Sequence, residues 1–180
     1  MGRNYICAGS LISLDGSNGF SVEGAAEGDE AGYSIDNAGD VNGDEFADVL
    51  VGAVGSDANG VDSGAAYVVF GKASGFSASL DLSNLSSSDG FALSGLAAGN
   101  SLGKSVSSAG DLNNDGFDDL IIGAPFAFGG TFNSGAAYVI FGHSFSSATA
   151  AKTVATDSHD VTGQDAALLL TGVNAAMDLI

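Results

Sequence analysis

Basic residues are scarce in this chain. Only Arg3, Lys72, Lys104 and Lys152 stand against 22 acidic side chains, for a formal charge of −18. So few cations cannot neutralise a phosphate backbone, which excludes a nucleic-acid partner or an anionic membrane surface. A single cysteine, Cys7, rules out an internal disulfide; it reads as a small buried apolar residue. Long apolar runs are missing too. The longest, such as 65–70, fall far short of the ~20 residues that cross a bilayer. Met1-Gly2-Arg3-Asn4 does not begin a signal peptide's apolar core. The expectation is a chain kept inside the cell or a piece of a longer exported protein.

Glycine is plentiful, at 28 residues, and 45% of positions are hydrophobic. That hydrophobic content separates the chain from acidic disordered sequences and predicts a packed core.

An internal repeat organises the sequence. Displaced by 71 positions, Ser17–Gly71 lies over Ser88–Gly142 without a gap, with 25 of 55 positions identical. The longest shared block is Ser-Gly-Ala-Ala-Tyr-Val-Val/Ile-Phe-Gly, at 63–71 and 134–142. Partial echoes flank the pair: Tyr5–Gly9 echoes Tyr67–Gly71, and Leu168–Gly172 echoes Phe91–Gly95. Six extra residues before the last echo place an insertion near 144–156, as a loop or short helix.

Each copy reads as four short β segments punctuated by Gly and Asx. They are expected near 32–38, 48–54, 64–71 and 89–95, then 103–109, 119–125, 135–142 and 166–172. Val49-Leu50-Val51 and Leu120-Ile121-Ile122 are continuous apolar runs of the kind found in strands covered on both faces. The predicted fold is all-β: tandem four-stranded antiparallel blades of a β-propeller. The expected units are 1–31 (a partial blade), 32–95 and 96–180.

Between the first two strands of each copy lies an acidic loop. One is Asp40-Val41-Asn42-Gly43-Asp44-Glu45-Phe46-Ala47-Asp48; the other is Asp111-Leu112-Asn113-Asn114-Asp115-Gly116-Phe117-Asp118-Asp119. Oxygen-bearing side chains occupy positions 1, 3, 5 and 9 of both, and the carbonyls of Phe46 and Phe117 at position 7 can add a further oxygen. Three carboxylates, one amide and one carbonyl make a hard shell suited to Ca²⁺, with Mg²⁺ second. The ordinary alternative is a pair of Asx-turns with solvated carboxylates. Repulsion among three carboxylates in nine residues, met twice, favours two Ca²⁺ sites. Position 12 is Val51 or Ile122, so neither loop is an EF-hand. Position 6 is Glu45 in one and Gly116 in the other; a left-handed backbone there would favour tighter binding at the second loop.

The run from Gly103 to Pro125, with Phe141-Gly142 after it, resembles an FG-GAP repeat of the integrin α-subunit β-propeller and its bacterial relatives. Phe70-Gly71 matches in the first copy, while Gly52-Ala53-Val54 departs from Gly-Ala-Pro. The resemblance covers roughly residues 17–142. It implies a calcium-stabilised propeller with acidic hairpin loops on one face and ligand contacts on the other. Family propellers usually have about seven blades, within the usual four to eight. Two and a half blades therefore imply self-association or membership of a larger ring.

Other motifs weigh less. Gly99-Asn100-Ser101-Leu102-Gly103 fits the nucleophile-elbow pattern, but the first copy carries Gly28-Asp29-Glu30-Ala31-Gly32 there, so a turn is expected. His143 and His159 read as loop residues. The function expected is a non-enzymatic, calcium-binding adhesion module, extracellular, at the cell surface or periplasmic, with a protein or cell-surface partner. Its variable loops, Ser56–Ser63 and Phe126–Asn133, would present the recognition surface. A fragment of a hydrolase or lyase acting on polysaccharide is the alternative.

Overall fold

A computed structural model describes residues 13–127 and 134–144, together with the backbone of two strands at 152–154 and 168–171. Cys7, His159 and the echo at Tyr5–Gly9 lie outside these residues.

The first copy forms β2 (Ala31–Gly39), β3 (Asp48–Ala53), β4 (Ala65–Val69) and β6 (Gly90–Ser94), each antiparallel to the next. The second forms β7 (Ser105–Gly110), β8 (Asp119–Ala124) and β9 (Ala136–Ile140), likewise antiparallel. Every strand lies within about two residues of its sequence expectation, because glycine and Asx turns bound each apolar run. β1 (Ser21–Glu23) and β5 (Ser79–Asp81) make a small parallel pair that the repeat does not foretell.

Leu168–Thr171, expected as the fourth strand of the second copy, forms β11 elsewhere. It runs antiparallel to β6 at the outer edge of the first copy's sheet, with β10 (Lys152–Val154) beyond it. The sheet order is thus β10-β11-β6-β4-β3-β2 against a three-stranded β7-β8-β9. An edge strand such as β6 offers a row of open backbone groups, and any extended segment can pair with it. Lys152–Val154 is accordingly a strand inside the stretch expected as loop or short helix.

The two sheets pack face to face around the main core. Leu50, Val68, Phe91 and Leu93 of the first copy meet Leu120 and Ile122 of the second, all buried. Each such side chain contributes about 1.5–3 kcal/mol on burial. Phe70 leans on Phe91 with ring centroids 5.9 Å apart. On the other side of the first sheet, Val51, Tyr67 and Val69 pack against Val22, Phe76 and Leu80.

Inner strands β2 and β7 lie side by side. There Ser34 Oγ donates to the Gly103 carbonyl at 2.7 Å, and Ser107 Oγ to Asp36 at 2.8 Å. Gly103 passes so close that its own Cβ, if present, would meet the Ala65 carbonyl at 2.1 Å. Only glycine fits.

Candidate metal centre

Each acidic loop is launched by a β-bulge. The ladder shifts between Asn37 and Gly39 in one copy and between Ser108 and Gly110 in the other. Gly39 and Gly110 have φ of 78° and 65°, the left-handed bend of a bulge glycine. That bend swings Asp40 and Asp111 out of the sheet and opens the turn.

Within the turns the hydrogen bonds repeat almost atom for atom. Asp40 Oδ1 accepts from the amides of Gly43 and Asp44, and its Oδ2 from Glu45. Asp111 accepts from Asp115 and Gly116. Asn42 and Asn113 each accept from the amide two residues on and donate to the carboxylate at position 5. Asp44 and Asp115 accept from Phe46 and Phe117 at 2.9 Å. These are Asx-turns, in which carboxylates replace the absent ladder. Positions 4 and 6 are left-handed in both loops: Gly43 (77°) with Glu45 (69°), and Asn114 (61°) with Gly116 (94°). The left-handed position 6 is therefore real. Glutamate carries more strain there than glycine, and asparagine tolerates position 4 well.

Position 9 behaves differently. Asp48 and Asp119 are almost fully buried, at 1% and 0% exposure. Asp48 accepts from the amides of Val41 and Gly71, both at 2.9 Å. Asp119 accepts from Leu112 at 2.8 Å and Gly142 at 2.9 Å. Each thus ties the start of its loop to the glycine of the Phe-Gly pair after the third strand. That glycine has no room for a Cβ: at Gly71 it would meet the Ala47 carbonyl at 2.5 Å, and at Gly142 the Asp118 carbonyl at 2.4 Å. Desolvation pushes the Asp48 carboxyl up to about 6, against the pull of the Gly71 and Val41 amides; Asp44 and Asp40 add repulsion.

In kind, the donors suit a hard divalent cation. Each carboxylate offers about four lone-pair sites over its two oxygens, so the backbone bonds leave at least one open on every carboxylate of the two loops. Among the described residues, however, no group of three or more Asp, Glu, His or Cys side chains stands gathered as a metal site. Asp40, Asn42 and Asp44 face the turn, while Asp48 faces Gly71; the second loop divides the same way.

The two loops are also joined to each other. Asp118 accepts from the Asp40 amide at 2.8 Å and returns a backbone bond to the Asp40 carbonyl at 3.0 Å, while His143 N–H donates to the Val41 carbonyl at 3.0 Å. Position 8 thus holds a side chain that reading for metal ligands missed. The available signal was the difference between the copies, Ala47 against Asp118, beside a shared Gly39 and Gly110.

The pattern of a bulge glycine, an acidic turn, an apolar strand and Phe-Gly coincides with a family match. Residues 102–140 fit the model of the FG-GAP repeat. This chain is an integrin-α-like FG-GAP repeat protein. It is 35% identical over 116 residues to integrin alpha-PS5 of Drosophila melanogaster, covering 64% of this chain and 10% of that protein. Integrin alpha-5 of Xenopus laevis is 34% identical over 116 residues, covering 62% and 10%. Integrin alpha ina-1 of Caenorhabditis elegans is 34% identical over 128 residues, covering 68% and 11%. The FG-GAP protein described here thus spans about a tenth of the length of these relatives.

Ser101, the centre of the elbow-like motif, sits in a turn between β6 and β7. It shares its left-handed backbone (φ 52°) with Glu30 (55°) of the first copy, and its amide donates to the Asp62 carbonyl.

Proposed function

We propose that this chain is a calcium-binding propeller module for extracellular protein–protein or cell-surface adhesion. The observation that carries the reading is the duplicated turn, with its concentration of negative charge held in one hydrogen-bond pattern. Asp40, Asn42, Asp44, Asp48 and the Phe46 carbonyl would hold one Ca²⁺; Asp111, Asn113, Asp115, Asp119 and the Phe117 carbonyl would hold another. Bound Ca²⁺ would supply positive charge that relieves the repulsion within each turn. Extracellular modules of this chemistry bind at roughly 10⁻⁴–10⁻³ M, which suits the calcium outside cells.

Recognition would fall to the loops at the opposite strand ends. Ser56–Ser63 is the most constructed of those described. Asp57 accepts from the Asp62 amide at 2.8 Å, and Asn59 Nδ2 holds the Gly95 carbonyl at 2.8 Å. Val61 stands 68% exposed at its tip. The integrin relatives favour a protein ligand or a partner subunit for such a surface.

Titration calorimetry of chelator-treated protein tests the metal sites. Two Ca²⁺ per chain are expected, with Asp44→Ala and Asp115→Ala each removing one and the second loop binding more tightly. Absence of saturable heat, or a larger loss of affinity at the first loop, would count against the assignment.

A further inference from the structure

Matched positions in the two copies differ sharply in exposure. Val41, Leu50, Val68 and Phe70 of the first copy are covered by the second copy's sheet, at 0–3% exposure. Their counterparts 71 residues on, Leu112, Ile121, Val139 and Phe141, are 58%, 38%, 45% and 51% exposed. The reverse holds on the other side. Leu120, with which the second copy covers the first, is fully buried and Val106 packs against the same core. Their first-copy counterparts Val49 and Ile35 are 38% and 69% exposed. A groove of about 460 Å³ lies there, lined by Ile35, Asp36, Asn37, Ala47, Asp48 and Val49.

The backbone matches the side chains. Gly103 presses into the first copy, and its counterpart Gly32 keeps the same left-handed φ (89° against 82°) with nothing within 4 Å of a Cβ. Gly39 lies against the Asp118 carboxylate, whereas its counterpart Gly110 is equally left-handed and equally open. The outward side of the second copy therefore carries the surface that the first copy shows to the second. The outward side of the first copy carries part of the surface with which the second copy answers.

We propose that these two faces dock head to tail between copies of this chain. Ile121, Val139 and Phe141 of one molecule would be covered by the Ile35–Val49 groove of the next, repeating the interface already inside the chain. The contact is heterologous, so it closes into a ring or continues as a filament. One element is missing. Asp118, which accepts from the Asp40 amide inside the chain, is replaced at the new junction by Ala47, leaving the partner's Asp111 amide without that acceptor. Repulsion between chains of charge −18 also opposes the contact, so it strengthens as salt screens the charge.

Sedimentation velocity of the full chain, from micromolar to millimolar concentration in calcium-containing buffer, tests this. Wild type should form concentration-dependent oligomers, more so at higher salt. Val139→Asp and Ile35→Asp should each be monomeric alone yet form a dimer when mixed, because each keeps the face the other has lost. Ala47→Asp should tighten association by about three- to tenfold, the equivalent of one added hydrogen bond; being a gain, it does not depend on tolerance of a surface charge. Circular dichroism should match wild type in every variant. Monomeric wild type at millimolar concentration overturns the proposal and leaves these faces to other residues or another protein. Oligomers that survive both aspartate variants, or a mixture that stays monomeric, overturn it equally.

Discussion

Replacing Asp119 by alanine should destabilise the protein even with no metal present. The carboxylate is fully buried and accepts from the amides of Leu112 and Gly142. Removing it orphans two N–H donors in a place where water has little access. Each orphan costs about 1–3 kcal/mol, so the change should cost about 2–6 kcal/mol, reduced if a water enters the space. For a chain of this size, 1 kcal/mol moves Tm by about 2–4 °C, which predicts a drop of roughly 4–24 °C. Asp119→Asn keeps one acceptor and should lose about half as much. Urea denaturation in excess chelator reads this directly, since removal of metal leaves only the hydrogen-bond role. A loss below about 0.5 kcal/mol for the alanine variant would refute the view that position 9 ties the acidic loop to the Phe-Gly glycine.

Three other outcomes follow from local geometry. Gly71→Ala forces a methyl against the Ala47 carbonyl and the Phe46 side chain, and should cost about 1–3 kcal/mol by chemical denaturation. Glu45→Gly relieves a left-handed glutamate and should stabilise the chelated protein by up to about 1 kcal/mol, while raising calcium affinity at the first loop in calorimetry. The ion pair of Lys72 with Asp89, aided by Ser86, holds the Asp89 carboxyl below its ordinary value. Its stabilisation is therefore complete above the unfolded pKa and is lost as pH falls through the lower folded one. Asp89→Asn should cost about 0.2–1 kcal/mol at neutral pH for this partly exposed pair, and the difference from wild type should vanish in denaturation at strongly acid pH.

The strands were legible because the chain states its pattern twice. Gly-Ala-Ala-Tyr-Val-Val-Phe-Gly and its second copy bound a strand at both ends, and the bulge glycines before Asp40 and Asp111 mark where the ladder breaks. Partner choice at sheet edges was not legible. Nothing in Leu168–Thr171 distinguishes the outer edge of β6 from that of β9, since both offer open backbone groups to any extended segment. The β1–β5 pair depends on tertiary packing over Val51 and Tyr67 that three-residue strands cannot encode. In the acidic loops, spacing identified the oxygen donors. The burial of Asp48 and Asp119 depends on Phe-Gly glycines 23 residues further on. The bond from the Asp40 amide to Asp118 spans 78 residues and exists only because the copies are stacked.

The most direct test of the account is thermal unfolding of wild type and the Asp44→Ala/Asp115→Ala double variant, each with millimolar Ca²⁺ and with excess EGTA. If both turns hold calcium, wild type should melt a few degrees higher with the ion, as expected when a ligand at or above its Kd binds two sites of the folded state alone. The double variant should show no such difference. A wild-type melting temperature unmoved by EGTA would contradict calcium as the element that stiffens these loops.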